Sequence, residues 1–560
     1  MPEDLKENLV KLIKQADKAA NLIKPYSDTI RVFGQYDADG ITATSVFVKA
    51  ILREGKSVHT TILKQLTAAT LEHVKSSKEK FIVLIDFGSG QLEFLNQLKD
   101  KTILVIDHHQ PQGQPAENII HINPLDFQIT ENISASGTSY IVARSLDKNN
   151  RDLAELAIIG AIGDSQTGSI GAEWGLWGLN KEIVKEAVSS KKINHLKGLR
   201  IWGRISRPLH KALEYSIDPY IPNVSGSESG AVHFLQELGI PIQKDDGSWR
   251  VLADLTQEEQ QKLASGIVIE RASGNQANPD WIFGDVYELA DRDPDFRDAA
   301  EFATMINATG KLGKPYLGMA ICIGDPNYYK KVKDLYDEYR KTIGSYLRWV
   351  EKNKEKVVKE TEQAVYLFAG DKISEHVISN IISIMHKGKY NKKPLFGLVA
   401  SEEGLKISAR VSDKLADGGI NLKEILSTVT PEFGGQGGGH KAASGGTIAA
   451  GKEDEFMQRI DAELAKVKAI QRVETSYLLQ QSAQESAIPT SDKHINTKGE
   501  LVESNAIAVY EQTRHQEVRA EGEGKDREAL QATGGEQGKG VQNRRFEKME
   551  RKGLVRYLVA

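Results

Sequence analysis

The amino-acid sequence predicts an α/β protein with a parallel-sheet domain, a helical middle region, a smaller α/β domain and a disordered C-terminal tail. Three observations support this prediction. In the N-terminal third, short apolar runs alternate with helix-like stretches, the pattern of an open parallel sheet with crossover helices. A second group of strand-like runs begins at residue 364. From residue 469 onward large apolar side chains are scarce, so burial there cannot offset the entropy cost of ordering the chain.

The first domain is predicted from its apolar patterns. Residues 4–23 carry apolar side chains at helical spacing, so a helix is expected there. The runs FIVLI at 81–85 and TILVI at 102–106 are apolar at nearly every position, as in strands buried on both faces of a parallel sheet. Further strands are expected at 29–35 and 59–63, and further helices at 41–52, 67–77, 136–147 and 151–163.

The middle of the chain is mostly helical by pattern, and its charged stretch at 328–360 is expected to form one or two connecting helices. In the tail, 546–558 is expected either to fray or to form a short basic helix. The second α/β domain is predicted to have strands at 364–370, 394–401 and 405–411, helices at 373–387 and 452–468, and a glycine-rich segment at 433–446. The expected divisions are 1–28 for the N-terminal helix, 29–168 for the first domain, 169–360 for the middle region, 361–468 for the second domain and 469–560 for the tail.

Composition and charge exclude several classes of protein. The formal net charge of −4 excludes a histone-like, wholly basic binder but allows a local basic groove. Cys322 is the only cysteine, so neither an intramolecular disulfide nor a thiolate metal cluster is possible. The N-terminus is acidic and polar, unlike a signal peptide, and no apolar run approaches the ~20 residues of a membrane span. A cytoplasmic location without membrane partners is therefore expected.

Four acidic or histidine-bearing segments each come directly after an apolar run. In an open α/β sheet, ligands bind beyond the carboxyl ends of the strands, so these segments are expected to converge. An isolated acidic turn or a single Asp after a strand is more often a turn or a helix cap. The coincidence of four such segments favours a divalent metal site, and carboxylates with imidazole suit Mn²⁺ or Mg²⁺. The segments are Asp37-Ala38-Asp39-Gly40, Asp86, Asp107-His108-His109 and Asp164.

A glycine-rich segment of the second domain suggests an anion site. Glycines at this position let backbone N–H groups approach a phosphate closely, although the same composition is typical of a flexible hairpin. Nearby cationic side chains can add charge-assisted contacts. The residues concerned are Gly434, Gly435, Gly437, Gly438, Gly439, His440 and Lys441, with Ser408 and Arg410 on the preceding strand.

These motifs together resemble the DHH phosphoesterase superfamily over residues 25–465. DADG at 37–40, Asp86, DHH at 107–109 and Asp164 match its first domain, and GGGH at 437–440 is similar to the signature of its second, DHHA1 domain. The segments at 132–143 and 297–313 resemble the archaeal RecJ-like single-strand exonucleases, including the GINS-associated nuclease. The long middle region favours this branch over the nanoRNases, cyclic-dinucleotide phosphodiesterases and family II pyrophosphatases that share the core.

The resemblance implies two Mn²⁺ or Mg²⁺ ions and a role for each matching residue. Asp37 and Asp86 would hold one ion. Asp39, Asp86, His108 and Asp164 would hold the other, with Asp86 bridging the two. Asp107 would orient an imidazole, and His109 would contact the scissile phosphate. The expected substrate-binding residues are Ser136, Arg410, Gly437, Gly438, Gly439, His440 and Lys441.

One position departs from the family pattern. Members usually carry His or Asp two residues before the first Asp of DADG, whereas this chain has Gln35. A neutral amide oxygen is a weaker metal ligand than imidazole or carboxylate. Either the enzyme works with a looser first metal, or activity has been lost, as in the related eukaryotic replicative-helicase subunit.

Three functions are consistent with these residues. The first is an exonuclease that releases mononucleotides from single-stranded DNA or RNA in replication or repair. The second is a replisome scaffold that binds GINS and the replicative helicase with little or no nuclease activity. The third is a phosphodiesterase for short or cyclic dinucleotides. A basic cluster at 200–211 beside Trp202 predicts either base stacking or a tryptophan in the core.

Overall fold

A computed structural model of the protein describes residues 3–130, 133–170, 173–216, 219–274, 276, 278–402 and 404–467, with two short strands beyond them. The chain divides into two compact units, Met1–Ala465 and Lys466–Ala560. In the second unit, Lys493–Ile495 pairs antiparallel with Leu501–Glu503. The rest of the predicted tail, including 546–558, lies outside the described residues.

The first domain is built on a five-stranded parallel sheet, as predicted. Its strand order is β2 (Val58–Leu63), β1 (Ile30–Gln35), β3 (Phe81–Ile85), β4 (Thr102–Ile106) and β5 (Ile119–Ile122). The chain therefore runs to one side of β1 and then to the other, which leaves a switch point between β1 and β3 where α/β proteins bind ligands. The helices are α1 (Glu3–Ile23), α2 (Ala38–Arg53), α3 (Ala68–Lys75), α4 (Leu92–Leu95), α5 (Ala135–Leu146) and α6 (Ala154–Gly163).

The middle region is mostly helical, and its charged stretch forms one long helix, α13 (Tyr329–Val357). It also contains two antiparallel ladders that the sequence does not predict. One joins β8 (Ile193–Leu199) to β9 (Phe283–Leu289). These strands are about ninety residues apart in sequence, so no local pattern predicts their pairing. The other elements are β6 (Thr167–Ile170), β7 (Glu173–Leu176), α7 (Leu179–Ser189), β8 (Ile193–Leu199), α8 (Leu209–Glu214), α9 (Glu228–Glu237), α10 (Gln257–Ser273), β9 (Phe283–Leu289), α11 (Ala299–Lys311) and α12 (Pro315–Ile323).

The second α/β domain has a six-stranded mixed sheet in the order β10 (Val358–Glu360), β11 (Val365–Gly370), β12 (Leu395–Ser401), β13 (Gly404–Arg410), β15 (Ala443–Ile448) and β14 (Gly437–Gly439). The three glycines expected in a loop thus form an edge strand. A Cβ on Gly437 would lie 2.6 Å from the Leu426 carbonyl oxygen, so glycine is needed for the strand to pack there. The helices are α14 (Ile378–Gly388), α15 (Asp413–Asp417), α16 (Leu422–Val429) and α17 (453–467).

The basic cluster of the middle region packs internally. Trp202 packs against the large hydrophobic core, and the Arg207 guanidinium carbon lies 3.8 Å from the centre of its ring. Arg207 is itself buried, and Arg204 pairs with Glu288. The core interpretation of Trp202 is therefore the one the structure supports. No helix in the described part of the chain has the length and apolar character that a membrane span requires.

Candidate active site

The ends of three neighbouring strands bring the predicted acidic residues to one edge of the first sheet. Gly34 of β1 lies opposite Ile85 of β3, and Ile85 lies opposite Ile106 of β4. Because the strands are parallel, the residues immediately after these positions emerge side by side. Gln35, Asp86 and Asp107 therefore meet beside the switch point.

Asp86 reaches the site through an unusual backbone conformation. Its φ is 66°, in the left-handed region, and its amide donates to the Ile106 carbonyl at 2.9 Å. A non-glycine residue in that region costs about 1–2 kcal/mol, and such conformations gather at functional sites. A short 3₁₀ helix follows at Ser89–Gln91.

Asp39 is held at the start of another helix. Its two carboxylate oxygens accept from Ala135 N at 2.8 Å and Ser136 N at 3.0 Å, the first amides of α5. A helix N-terminus carries partial positive charge, so the two amides hold the carboxylate in place. Gly160 of α6 makes the approach possible, because a Cβ there would lie 2.5 Å from Asp39 Oδ1.

His108 lies among three carboxylates. Its Nε2 is 3.5 Å from Asp86 Oδ1, 3.7 Å from Asp164 Oδ2 and 3.9 Å from Asp39 Oδ2. Asp164 extends from the C-terminal end of α6, as expected. The sequence-predicted residues Asp39, Asp86, His108 and Asp164 therefore converge.

Asp107 and His109 form the second part of the site. Asp107 is fully buried, and its Oδ1 lies 2.8 Å from His109 Nδ1 while accepting the backbone amides of His108 and His109. The hydrogen bond fixes the His109 ring with Nε2 turned away from Asp107. The His109 side chain is 45% exposed.

The electrostatics show a cluster of buried acids. Burial raises the pKa of Asp86 well above its usual value, and the charges of Asp37 and Asp39 raise it further. Burial likewise raises the pKa of Asp37, and with the charge of Asp39 raises that of Asp164 to about 7. A cation bound among these groups would relieve both effects.

The pKa values of the two histidines are also raised, which favours their charged form. The hydrogen bond to Asp107 raises the pKa of His109 to about 9. Burial opposes protonation of His108, but the charges of Asp164 and Asp39 outweigh it, so its pKa is also raised.

The residues fit a divalent ion. Asp86 Oδ1 and His108 Nε2 are buried and have no hydrogen-bond partner among the described residues. Ligand atoms of Asp39, His108 and Asp164 lie within 4.8 Å of one another, and those of Asp86, His108 and His109 form a second such group. Carboxylate oxygen with imidazole nitrogen is a donor set suited to Mn²⁺ or Mg²⁺.

Asp37 and Gln35 lie at the side of this cluster. Asp37 caps α2, accepting from Gly40 N at 2.9 Å. With its amide nitrogen turned towards the acids, Gln35 donates to Asp37 Oδ1 at 3.0 Å and Asp86 Oδ2 at 3.1 Å. In the reverse orientation, the amide oxygen stands beside the same carboxylates as a third oxygen donor. Gln35 can therefore form hydrogen bonds directly to Asp37 and Asp86, whereas a His or Asp at this position would act as a metal ligand.

A cavity of about 350 Å³ lies beside the acidic cluster, between the first and second domains. Of the predicted substrate-binding residues, Arg410, Gly439 and His440 line it, together with Ser408. The pKa of His440 is lowered, first by burial and then by the charges of His109 and His108. His440 of the second domain is therefore within electrostatic range of the two histidines of the first.

The remaining predicted substrate-binding residues lie elsewhere. Ser136 is fully buried, and its hydroxyl donates to the Ala157 carbonyl, so its contribution is the amide that supports Asp39. Gly437 and Gly438 belong to β14, and Lys441 is exposed and does not line the cavity. The spacing of the glycine motif indicated proximity to the site but not which residues face it.

The structure adds cleft residues that the sequence reasoning missed. Lys311 lies at the end of α11, and burial followed by the charge of Arg410 lowers its pKa to about 8. Its Nζ donates to Asn380 Oδ1 of the second domain at 2.5 Å. The new lining residues are Tyr36, Lys64, Lys311, Glu375, His376, Ser379, Lys406 and Ile407.

Two signals in the sequence were available for these residues. Lys64 comes directly after β2, so the strand-end rule that located the acids also applies to it. Lys406, Ser408 and Arg410 alternate along β13, which places all three on one face of the strand. For Lys311 the only signal was its position in the 297–313 segment.

Family models match three parts of the chain. The DHH family N-terminal domain matches residues 29–161, the DHH-CID domain 201–279 and the DHHA1 domain 361–466. An uncharacterised protein of Methanocaldococcus jannaschii is 30% identical over 465 residues, which cover 81% of this chain and 98% of that protein. The single-stranded-DNA-specific exonuclease RecJ of Thermus thermophilus is 27% identical over 230 residues, 38% of this chain and 33% of RecJ.

Solved structures share the fold. The crystal structure of Thermus thermophilus RecJ in complex with Mn²⁺ has a TM-score of 0.51 and 19% identity, and the match covers 81% of this chain and 55% of RecJ. The crystal structure of CDC45 from Entamoeba histolytica has a TM-score of 0.55 and 11% identity, covering 82% of this chain and 98% of CDC45. At these identities, the likeness concerns the fold alone.

Proposed function

The chain belongs to the DHH/DHHA1 family of phosphoesterases, with a RecJ-like fold, and we propose that it is a metal-dependent exonuclease specific for single-stranded nucleic acid. The observation that carries the proposal is the juxtaposition of an acidic, histidine-bearing cluster with a cationic cleft. His440, Arg410 and Lys311 line this cleft, and the charges of His108 and His109 reach His440. A phosphodiester placed there meets cations on one side and a metal-binding cluster on the other.

In this proposal the acidic cluster holds two divalent ions. Asp39, His108 and Asp164 would hold one, and Asp86, flanked by Asp37 and Gln35, would complete a site for the second while bridging both. When bound, such ions activate water for attack on phosphorus and offset charge on the phosphoryl oxygens. The two-ion count rests on the family resemblance, whereas the ligand convergence rests on the geometry above.

The chain's own residues would position the substrate and manage protons. Asp107 holds Nδ1 of His109, so Nε2 is free to donate to the phosphoryl or leaving oxygen. Lys311, Arg410 and His440 would hold the phosphates of the terminal nucleotide. Because these groups line a narrow cleft between two domains, a single strand would enter where a duplex would not.

A replisome scaffold is the second candidate. Gln35 occupies a position where the family usually carries a stronger ligand, and the fold is shared with CDC45. Under this alternative the chain would bind GINS or the replicative helicase and hydrolyse little or no nucleic acid. Binding of GINS alone is compatible with both candidates, so hydrolysis decides between them.

The deciding experiment is an end-labelled exonuclease assay on single-stranded DNA and RNA with Mn²⁺ or Mg²⁺. The wild type is compared with Asp86→Asn, which keeps the shape of the bridging ligand but removes its charge. Asp100→Asn, an exposed carboxylate of the same domain, is the control. We expect progressive shortening by the wild type and the control, and none by Asp86→Asn.

Substrate length separates the exonuclease from a phosphodiesterase for short oligonucleotides. We expect strands of roughly twenty nucleotides to be shortened at a rate within about tenfold of the rate for trinucleotides. Hydrolysis confined to di- and trinucleotides or cyclic dinucleotides would support the phosphodiesterase. The absence of hydrolysis on every substrate by folded, metal-loaded protein would overturn the proposal and favour the scaffold.

A further inference from the structure

A buried serine, Ser89, lies behind the active site. Its backbone amide, its carbonyl and its hydroxyl all form hydrogen bonds. Ser89 N donates to Asp107 Oδ2 at 3.0 Å, and Gln112 N donates to the Ser89 carbonyl at 2.8 Å. Asn123 Nδ2 donates to Ser89 Oγ at 3.0 Å, and His121 Nε2 lies 2.9 Å from the same Oγ. Ser89 is fully buried, so it cannot act as a nucleophile, and its bonds fix the position of Asp107.

The network also holds His109 from a second direction. Asn123 Nδ2 donates to the His109 carbonyl at 2.8 Å, and Asn123 Oδ1 accepts from Leu125 N at 3.0 Å. Asn123 is fully buried. The side-chain contact of His109 therefore depends, through Asp107, on the Ser89 backbone amide, and its main-chain position depends on Asn123, which is bonded to the Ser89 hydroxyl.

The direction of the hydrogen bonds can be assigned from donor counting. The Asn123 amide is a donor, so Ser89 Oγ accepts there and has one proton left to donate. Among the described residues the second partner of Oγ is His121 Nε2, and the arrangement that leaves the buried hydroxyl proton paired has Oγ donating to Nε2. In that arrangement the ring proton is on Nδ1, which lies 2.6 Å from Asp126 Oδ2. His121 is 2% exposed, so water does not compete for Nε2.

We propose that His121 is a positioning residue of the active site: through Ser89 it sets the orientation of Asp107 and thereby of His109. Within the described part of the chain, the hydrogen bonds and ion pairs of His121 outside the β4–β5 ladder involve Gln15, Ser89 and Asp126, none of which is a proposed metal ligand or lines the cavity. The inference rests on the proposed function, because its consequence is measured on phosphodiester hydrolysis. Its structural half, the bond from Ser89 to His121 Nε2, can be tested without any activity.

The activity test compares two substitutions of similar size. His121→Leu removes the acceptor, whereas His121→Gln keeps an amide oxygen that can reach Ser89 Oγ. We expect His121→Leu to lower kcat by about 10–100-fold, the usual effect of losing a partner behind a catalytic or metal-binding group. KM and the affinity for Mn²⁺ should stay within about threefold of wild type, and His121→Gln should recover most of kcat.

Non-additivity provides a second criterion. Ser89→Ala should lower kcat to a similar extent, and the double variant Ser89→Ala/His121→Leu should be no slower than Ser89→Ala, because both act through one hydrogen bond. Thermal unfolding of each variant checks folding. If His121→Leu does not fold, His121→Gln and Ser89→Ala still test the bond.

The activity-independent test is the state of the His121 ring in protein labelled with ¹⁵N-histidine. Two-bond ¹H–¹⁵N spectra of the full-length wild type at fixed pH should show Nδ1 protonated and Nε2 as an acceptor, and Ser89→Ala should shift the Nε2 resonance. An Nε2-protonated ring, or a resonance unmoved by Ser89→Ala, would overturn the assignment. A kcat unchanged in His121→Leu, or reduced equally in His121→Gln, would overturn the positioning role. An inactive wild type with the expected ring spectrum would instead defeat only the proposed function.

Discussion

The two sides of the cleft differ in how they are built. The acidic side comes from three consecutive strand ends of one sheet, joined by Asp39 and Asp164 on neighbouring helices. The cationic side is assembled from distant segments: Lys64 after β2, Lys311 at the end of α11 in the middle region, and Arg410 in the second domain, where His440 also lines the cleft.

This difference affects how each side tolerates change. The acidic side is buried and closely packed, with helices α5 and α6 pressed against Asp39. The cationic side is held by single hydrogen bonds between elements, such as Arg410 Nε to Ser383 Oγ at 2.9 Å. We therefore expect small packing changes to disable the acidic side, and charge changes to act in a graded way on the cationic side.

The largest effect is expected from Gly160→Ala, a change at a residue that is not itself a proposed metal ligand but packs against Asp39. The added Cβ would meet Ser136 Oγ at 2.1 Å, Thr42 Oγ1 at 2.4 Å and Asp39 Oδ1 at 2.5 Å, so Asp39 must move. Overpacking of this kind costs about 1–3 kcal/mol of stability. A displacement of about 1 Å in a catalytic group can reduce the rate about 100-fold.

Thermal unfolding and the exonuclease assay measure the two effects of Gly160→Ala. Gly168→Ala is the matched control, since a Cβ there meets nothing within 4 Å. A Gly160→Ala protein with wild-type activity would contradict the claim that the acidic side depends on close packing.

The next effect is expected from removing one cation of the cleft. Arg410→Gln should raise KM by about 10–100-fold, because a charge-assisted hydrogen bond contributes about 1.5–3 kcal/mol. Lys441→Gln, which removes a cation of the same region that does not line the cavity, should leave KM near the wild-type value. Steady-state kinetics on a single-stranded oligonucleotide tests the pair. Equal effects of the two substitutions would show that general positive charge, rather than the cleft geometry, determines binding.

A smaller, pH-dependent effect is expected at Lys311. Its pKa is lowered to about 8, so the ammonium is charged below that pH and neutral above it. Phosphate binding through this residue should therefore weaken as the pH rises past 8, by at most tenfold for each pH unit, roughly, since one proton is involved. Lys311→Arg keeps its charge throughout and should flatten the profile of KM between pH 7 and 9. A wild-type profile that matches Lys311→Arg would exclude Lys311 as the titrating group.

The smallest effect is expected from Gln35→His, which introduces the residue type usual in the family. An imidazole beside Asp37 and Asp86 is a stronger ligand than an amide, so Mn²⁺ affinity should rise severalfold. Calorimetric titration with Mn²⁺ measures this in parallel with activity. Unchanged affinity would mean that Gln35 serves as a hydrogen-bond donor to the two carboxylates and not as a ligand.

The acidic side could be predicted from sequence because its causes are local. An apolar run such as FIVLI predicts a buried strand, and an Asp at its end must emerge at the edge of a parallel sheet. The same reasoning located DADG at 37–40, DHH at 107–109 and Asp164. The roles of these residues, and the boundaries expected for the domains, stay predictions.

Where the prediction and the structure differ, the cause is a contact between residues far apart in the chain. Ser136 reads as a ligand-facing hydroxyl, but packing against α6 buries it and leaves only its amide at Asp39. Gly437–Gly439 reads as a loop, but pairing with β15 makes it a strand. The β8–β9 ladder was missed for the same reason.

The sequence by itself therefore determined the α/β class, the family and the acidic cluster, because short-range patterns specify strands and the residues at their carboxyl ends. Only the tertiary structure decided which cations face that cluster, that Gly160 must lack a side chain, and that His121 lies behind Asp107 through Ser89. Those facts depend on distances between elements that are brought together by the burial of a common core, and on the direction in which each side chain points once the core has formed. Neither quantity is present in the local pattern of residues.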